Sequence, residues 1–571
     1  MEPVLQHAYV LGLERVVAWS DLLDDINVFP VADGDTGRNL LASLTPLRYL
    51  EDSKEDTVYQ LMMAARGNSG NIATRFFSGL LTAETPAGLA EAARIGRDKA
   101  RDAVHDPMPG TMLTILDCLV SHLEQASYEN REGYIQEMLE QLAQAVRSTP
   151  SQLPVLARAG VVDSGALGMF VFLESFFKGL INQVDDFIPI TERFKGLLEI
   201  STDFQESMEN GFCVDTVVQL DPNREDNLDF IHDMGEQAVV IPHDGYLKVH
   251  LHTSDKEEFR ARMSTIGEIV QWSEDDIDDQ VEQRKIQTQK QSIHIMTDAA
   301  GSLTRENARA MGFTLLNSYI VTRNRSLPET LFEPEELYQM MRSGEKVSTS
   351  QASDFERHQY YQRVLDQHAR VLYLSVGSVF TGNYDLATCW QRDNDKENRL
   401  TVIDTGAASG RLALIVLATV RFAEQTDDPD AVIKYARTAV DNCQEYVFLD
   451  KLQYLAAGGR LSKTSAFFGD TLRIKPIISP LPQGAHKVGT ARNQKGQLEF
   501  AFDKLSASVK YDAKPLVMLE YSDNKPWVET VVRKEIVRRY PLAEIILQPV
   551  SLTSGAHMGP GTWALAFIPE L

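Results

Sequence analysis

The chain predicts a multidomain protein: an all-helical amino-terminal domain, a small α/β domain in the middle and a two-lobe α/β half at the carboxyl end. Three observations carry this reading. Apolar residues recur at helical spacing through residues 1–200, strand alternation replaces it over 201–289, and a strand–loop–helix pattern follows over 290–571. A length of 571 residues also exceeds what one core organises.

In the first segment, "EDTVYQLMMAARGNSG" places Val58, Leu61, Met62 and Ala65 at i, i+3, i+4 and i+7, the period of a helix. That helix is expected to break at the glycine-rich "RGNSGN". Two more small-residue loops, "MPGTML" at 108–113 and "AGVVDSGALG" at 159–168, stand at helix boundaries. Loops of this kind gather backbone N–H groups, the donors that hold an anion. In the middle segment "GFCVDTVVQL" and "YLKVHLHTSD" alternate as strands. The acidic "SEDDIDDQVEQRKIQTQKQ" is expected to form a helix leading out, with a linker near 272–290. Beyond it, "SIHIMTDAAGSL", "ARVLYLSVGS" and "RLTVIDTGAASG" are each a short apolar strand ending in small polar residues before a helix. Their repetition predicts a parallel sheet with crossover helices. Ligands of such sheets bind beyond the carboxyl ends of the strands, so Thr297, Asp298, Ser375, Ser378, Asp404 and Thr405 should share a rim. "LVMLEYSD", "AEIILQPVSL" and "WALAFIPEL" supply strands of a second lobe.

Composition narrows the function. With 43% apolar residues the chain is globular, and a net charge of −25 without a basic stripe excludes nucleic acid as a partner. The first residues lack a basic flank before an apolar block, so no secretory signal is expected. No apolar run reaches the ~18 residues of a membrane span. Cys118, Cys213, Cys389 and Cys443 are scattered, which fits a reducing cytoplasm rather than a disulfide framework.

Two stretches carry candidate metal chemistry. In "NVFPVADGDTGRN", Asp33 and Asp35 crowd two carboxylates into one loop. A solvated turn accounts for that, and so does a divalent cation between them. Mg²⁺ binds through one or two carboxylates together with phosphate oxygens, and Gly34 and Gly37 let the loop curl around it. In "KVHLHT", His250 and His252 project to one face of a strand. With Cys213 on another strand they make a three-ligand Zn²⁺ set with a position left open. From spacing alone, histidines on a solvated face are the simpler reading.

The motifs "NVFPVADGDTGRN", "AARGNSGN", "PGTML" and "AGVVDSGALG", in that order, resemble the kinase domain shared by dihydroxyacetone kinases and bacterial fatty acid kinases. The lead-in "NVFPV" favours the fatty acid branch. This resemblance to the DhaL-like fold covers roughly residues 1–200 and implies an antiparallel eight-helix barrel binding ATP at one end. It implies Mg²⁺ on Asp33 and Asp35, with Asn27 as a third ligand where other members have Asp. The nucleotide would meet Thr36 and Gly37 after the acidic loop, and Asn68, Ser69 and Gly70 in the next motif. Gly110, Thr111 and Met112, then Asp163, Ser164 and Gly165, would complete its pocket. "GFCVDT", "LKVHLHT" and "GEIVQWSEDDIDDQ" resemble the middle domain of the bacterial fatty acid kinases, which implies zinc on Cys213, His250 and His252, with Asp215 on the face of Cys213.

Across 290–571, "TDAAGSL", "VSTSQAS", "SVGSVFTGNYDLA", "VIDTGAASG", "YLAAGGRLSK" and "HMGPG" resemble the DegV family of lipid-binding proteins, a two-lobe α/β fold. The resemblance implies a long-chain fatty acid whose carboxylate is gripped by Thr349, Ser378, Thr381 and His557, with Arg460 near the surface that faces the kinase. Neutral O–H donors suit this task, because they orient a carboxylate without quenching it. Burying the tail at ~0.8 kcal/mol per CH₂ supplies most of the affinity. The chain departs from the family at Gly377, where the usual motif has serine, at Asn383 for threonine and at Thr405 for serine. Asn383 is therefore expected to bear on which acid is held.

The reading that follows is ATP-dependent phosphorylation of a bound fatty acid, with Asp33, Asp35 and Arg460 in the catalytic machinery and ATP, Mg²⁺ and Zn²⁺ as cofactors. Kinase and carrier would meet within one chain or between copies of a homodimer, and any membrane contact would be transient and at the surface. The alternative is a lipid carrier or sensor whose kinase-like domain binds nucleotide without transferring phosphate. A dihydroxyacetone kinase is a third reading, without a segment resembling the ketone-binding domain that accompanies that fold.

Overall fold

The computed structural model describes residues 1–50, 53–125, 131–204, 211–222, 228–277, 291–323, 325–451, 453–457 and 474–569. The chain divides into two compact units, 1–286 and 287–571.

The first unit begins with α1 (Pro3–Asp25), α2 (Thr36–Leu44), α3 (Lys54–Ala64), α4 (Gly67–Leu80) and α5 (Leu89–Asp102). It continues with α6 (Met112–Leu123), α7 (Arg131–Arg147), the short α8 (Thr149–Gln152) and α9 (Pro154–Ala159), and α10 (Ser164–Leu180). Helices α1 and α10 are buried on nearly every side, as befits elements enclosed by others. Tyr9 meets Phe176 edge-on at 5.0 Å, and the enclosed Arg15 pairs with Glu174 across the same seam. A charge pair this deep fixes one register of the two helices, since losing either partner would leave an uncompensated buried charge. The stretch "GNSGN" proves to be the first turn of α4 rather than a break. The chain instead turns at Arg66–Gly67, where Gly67 takes φ +58°, a conformation that glycine adopts without strain.

Next come β1 (Phe212–Leu220), β2 (Glu236–His243), β3 (Tyr246–Thr253), α11 (Lys256–Ile266) and β4 (Gly267–Asp276). The strands form an antiparallel sheet in the order β2-β3-β1-β4. Strand alternation splits its residues cleanly. Val214 and Val218 of β1 and Leu247, Val249 and Leu251 of β3 share a core with Phe259 and Met263 of α11. Cys213, Asp215, Lys248, His250 and His252 occupy the other face, which packs on the helical domain: Lys248 Nζ donates to Ala65 O at 2.8 Å. Both faces are thus covered, and polar side chains on the second face are buried. "SEDD" closes β4 instead of opening a helix, because "EIVQW" before it pairs with β1 and carries the strand through Asp276. Residues 278–290 of the acidic run lie outside the described residues.

The second unit has β5 (His294–Asp298), β6 (Thr314–Leu316), β7 (Ser318–Val321), β8 (Ser326–Pro328), β9 (Ser348–Gln351), β10 (Val371–Ser375) and β11 (Leu400–Asp404). Its first lobe is the parallel sheet β11-β10-β5-β6, as the repeated strand–loop–helix pattern predicts. Strands β8-β7-β9 make a small antiparallel sheet. The second lobe comprises β12 (Gln444–Phe448), β13 (Lys475–Leu481), β14 (Gly484–Ala491), β15 (Leu516–Tyr521), β16 (Glu544–Pro549) and β17 (Trp563–Ile568). They run in the order β14-β13-β12-β17-β15-β16, with only the β15–β16 pair parallel. The buried helix Ser409–Ala423 joins the lobes, packing in one core with Leu372 of the first and Met518 and Ala566 of the second. Among the described residues no helix is long and apolar enough to cross a membrane.

Candidate functional site

The acidic loop leaves α1 and is pinned back onto it. Asp24, 1% exposed, accepts the Gly37 N–H at 2.7 Å and the Arg38 N–H at 3.1 Å, and faces the Arg38 guanidinium at 3.3 Å. Gly37 has no room for a side chain, since a Cβ there would lie 1.9 Å from Ser20 O. Its N–H is engaged and its Cα packs on α1, so Gly37 sets the α1–α2 approach. Within the loop, Asn27 Nδ2 donates to Asp33 Oδ1 at 2.5 Å.

Other motifs converge on the same place. Ser164 Oγ sits 3.0 Å from Thr36 Oγ1 and 3.3 Å from Asn27 Oδ1, while Thr36 Oγ1 is 3.5 Å from Ser69 Oγ. A Cβ at Gly165 would lie 3.3 Å from both Asp163 Oδ1 and Met112 Cε and 3.5 Å from Ser69 Oγ. The acidic loop, the start of α4, the start of α6 and the start of α10 thus face one another. Several of the glycine and polar positions in these motifs are engaged internally. Gly70 packs on Ser43, Gly110 N–H donates to Thr114 Oγ1, and Thr111 Oγ1 donates to Met108 O. Asp163 caps α10 by accepting the Ala166 N–H at 2.7 Å, and burial pushes its carboxyl up to about 7. Asn68 and Ser69 remain as lining of the cavity.

That cavity unites two sites that the sequence presents as separate. Asn27, Asp33, Asp35 and Ser69 line one side, and Cys213, His250 and His252 line the other. The triad is buried, with His250 0% and His252 8% exposed, which overturns the reading of histidines on a solvated face. The ligating atoms of the three residues lie within 4.8 Å of one another. His250 Nε2 and His252 Nδ1 are buried without a hydrogen-bond partner, the condition of lone pairs meant for a metal. Burial, with His250 beside it, pulls His252 down to about 3, so its ring is neutral as ligation requires. The residues present fit Zn²⁺.

Asp215 bridges the halves of the cavity. Its Oδ2 accepts the Gly67 N–H at 2.9 Å and faces His250 Nδ1 at 3.3 Å; its Oδ1 accepts from Asn71 Nδ2 at 3.0 Å and pairs with Lys248 Nζ at 3.4 Å. Burial works against its charge, yet Lys248 and His250 hold the carboxyl well below its ordinary range. Asp275, opposite Cys213 in the β1–β4 register, is held up by burial and by Asp35.

In the second unit, Thr349 on β9 and His557 in the helix Leu552–Met558 come together, with Thr349 Oγ1 and His557 Nε2 3.0 Å apart. Ser378 binds the Asp404 carboxylate through both its hydroxyl and its N–H, the latter at 3.0 Å. Thr381 Oγ1 accepts the Asn383 N–H at 3.0 Å. A Cβ at Gly382 would lie 3.7 Å from Gln351 Oε1, so the Ser378–Gly382 loop adjoins β9. Apolar residues including Leu449, Ile478, Val550 and Met558 cluster beside this region, with Phe380 packed on them. The rest of the expected rim turns inward. Thr297, Ser375 and Thr405 each donate to a backbone carbonyl, and Asp298 is enclosed by Arg357, Tyr373 and Asn383. Asn383 thus joins a buried network, its Nδ2 donating to Asp298 Oδ1 at 2.9 Å. Arg460 lies outside the described residues.

Sequence reasoning missed Asp24, Lys248 and Asp275. Asp24 had a signal: an acidic side chain in the last turn of a helix opposes the helix dipole and asks for a reason. So did Lys248, which shares the strand face of His250 and His252.

Family models match the chain in three consecutive blocks. Residues 30–178 match the DAK2 domain, 209–284 the FakA-like middle domain of fatty acid kinases, and 292–570 the uncharacterised-protein DegV family. An uncharacterized protein of Staphylococcus epidermidis is 27% identical over 363 residues, covering 56% of this chain and 64% of the relative. One from Staphylococcus saprophyticus is 30% identical over 290 residues, 46% of this chain and 52% of the relative. The chain thus spans between about half and two-thirds of the length of these relatives. Among solved structures, a DegV family protein of Thermus thermophilus, described for its fatty acid binding, is 22% identical with a TM-score of 0.46, covering 48% of this chain and 99% of its own. DegV of Bacillus subtilis, described as a fatty acid binding protein, is 18% identical with a TM-score of 0.45, covering 49% of this chain and 100% of its own. The sequence therefore carries a DAK2 domain, a FakA-like middle domain and a DegV-family domain in one polypeptide.

Proposed function

We propose that this protein transfers the γ-phosphoryl group of ATP to the carboxylate of a fatty acid held by the DegV domain, giving an acyl phosphate and ADP. The observation that carries the proposal is the convergence of Asp33 and Asp35 with Thr36, Ser69 and Ser164 around one cavity. It combines hard carboxylate oxygens, small hydroxyls and helix N-termini, the groups that hold a polyphosphate with its cations. In this reading the amino-terminal helices form the eight-helix barrel of the kinase fold.

The acceptor determines what the site has to do. A carboxyl group, with an ordinary pKa of about 4, is already ionised at neutral pH, so no general base is required. A carboxylate oxygen forms the new P–O bond as the bond to the β-phosphate oxygen breaks and ADP departs. The obstacle is repulsion between two anions. Asp33, Asp35 and Asn27 would hold Mg²⁺, which when bound neutralises charge on the phosphate oxygens. Thr36 and Ser69 would orient the phosphates by their hydroxyls, and Arg460 would supply positive charge beside the acceptor. Cys213, His250 and His252 would hold Zn²⁺ on the facing wall. Thr349, Ser378, Thr381 and His557 would fix the fatty acid head group by neutral donors that leave its oxygens nucleophilic.

The test is direct. Purified protein is incubated with ATP, Mg²⁺ and oleate, and acyl phosphate is trapped with hydroxylamine. Hydroxamate from the wild type and none from Asp33→Ala/Asp35→Ala is expected. Bound lipid with no ATP-dependent hydroxamate would refute phosphoryl transfer and leave the carrier reading.

A further inference from the structure

The sheet face that bears the metal triad also grips the start of α4 at several points. Lys248 Nζ holds Ala65 O at 2.8 Å, and Asp215 holds the Gly67 N–H at 2.9 Å and Asn71 Nδ2 at 3.0 Å. Between those anchors lie Asn68 and Ser69, which line the cavity. The Asp215 oxygen that receives Gly67 is also the one facing His250 Nδ1 at 3.3 Å. A proton on Nδ1, shared with that carboxylate, leaves the lone pair on Nε2, the atom without a partner. One buried carboxylate thus orients a metal ligand with one side of its surroundings and the phosphate-facing loop with the other.

We infer that Asp215 is a positioning residue that couples the two walls of the cavity, so that zinc at Cys213, His250 and His252 and nucleotide at the Gly67–Ser69 loop strengthen each other's binding. The inference rests on reading the cavity as a nucleotide site. Zinc on His250 fixes the ring, the ring fixes the Asp215 carboxylate, and the carboxylate fixes the Gly67 N–H and with it the entrance to α4. Without the metal the ring can turn and one of the carboxylate's partners is lost. Linkage requires the effect to be equal in both directions.

The experiment measures binding on the full chain. Zinc affinity is taken by competition with a chromogenic chelator, with and without a saturating non-hydrolysable ATP analogue and Mg²⁺, and analogue affinity is taken with and without zinc. In the wild type each ligand is expected to tighten the other about tenfold, within the usual range of coupling between sites. In Asp215→Asn both ligands should still bind while the factor falls toward one. The amide has one acceptor oxygen in place of two, so its nitrogen faces either the Gly67 N–H or the donors of Asn71 and Lys248, and the carboxylate's hold on the two walls together is lost. Should that variant fail to fold, Asn71→Ala removes one arm of the same link and should lower the factor. Independent binding of both ligands to the wild type, or an undiminished factor in a folded variant, overturns the inference alone. A wild type that takes up zinc but no analogue overturns the nucleotide reading, and the inference with it.

Discussion

Restoring the family's serine at position 377 is expected to harm this protein rather than improve its grip on a carboxylate. Gly377 has no room for a side chain: a Cβ there would lie 2.8 Å from Gly406 C, 2.9 Å from Gly406 Cα and 3.0 Å from Ala407 N. All three are backbone atoms, so no side chain can swing aside. The Gly377 N–H donates to Ala407 O at 2.7 Å, which ties the loops together at the point where they would have to part. The backbone torsion at Gly377 is not in the left-handed region, so the obstacle is room alone. Overpacking of this kind costs about 1–3 kcal/mol. For a unit of this size that corresponds to a melting temperature lower by about 2–6 °C. Gly377→Ser should therefore show a depressed unfolding transition of the DegV domain, followed by scanning calorimetry, and weaker displacement of a fluorescent fatty acid by oleate. A Gly377→Ser protein that binds oleate more tightly with an unchanged transition would refute the reasoning. It would show that the Gly406–Ala407 backbone yields freely.

Four further outcomes are expected. Gly37→Ala should destabilise the helical domain by about 2 kcal/mol or more, although Gly→Ala in a helix ordinarily stabilises, because the new Cβ would lie 1.9 Å from Ser20 O; calorimetry reads the sign. Thr349→Val and His557→Ala should each weaken fatty acid binding by about fivefold, the value of a hydrogen bond of roughly 1 kcal/mol, in a direct titration. Metal analysis should find one zinc per chain, lost in His250→Ala and kept in Thr349→Val. Burial raises the Asp163 carboxyl to about 7, so the fold favours its protonated form. That stabilisation is complete below about pH 4 and is lost as pH rises toward 7, at up to about 4 kcal/mol. Asp163→Asn, which still accepts the Ala166 N–H, should flatten the pH dependence of unfolding over that window and be at least as stable as the wild type at pH 7.

Much of this was legible in the sequence where a local pattern decides the outcome. Three of the four strands of the parallel sheet, β5, β10 and β11, announce themselves by apolar runs ending in small polar residues, whereas the three-residue β6 is too short to show a pattern. The pairing of Cys213 with His252 and of Asp215 with His250 across two strands follows from alternation once the strands are placed next to each other. What sequence could not convey is how segments far apart cover one another. "KVHLHT" reads as a half-solvated strand because its alternation is that of one, but α4 lies on its second face and makes the polar set a buried one. Nor could it separate a glycine that frees an N–H for a ligand from one that makes room for a neighbour. Gly37 and Gly70 stand in motifs that look alike in sequence, and both prove to be points of close helix approach. The burial of Asn383 was hidden for the same reason: its partner, Asp298, is 85 residues away.

Distribution of charge around the cavity separates a cation site from an acidic turn. Around the cavity the fold sets cations on the carboxylates that anchor loops, the half-buried Arg38 on Asp24 and the buried Lys248 on Asp215. Asp35 is treated differently. Burial holds its carboxyl above the ordinary range, and the neighbouring Asp24 adds to this against the pull of Arg38. Asp275 is raised by burial and by Asp35 in turn, and the Cys213 thiol is pushed well up by burial and by the carboxylates of Asp215, Asp35 and Asp33. A solvated turn would relax this crowding by letting its side chains part. Here Asp24 fixes Gly37 and Arg38, and Asn27 fixes Asp33, so the acidic groups are held close despite the cost. Divalent cations would reverse each of these shifts, making the carboxylates and the thiolate the favoured forms. A loop braced this firmly in a repulsive arrangement supports the proposed cation site over a solvated turn.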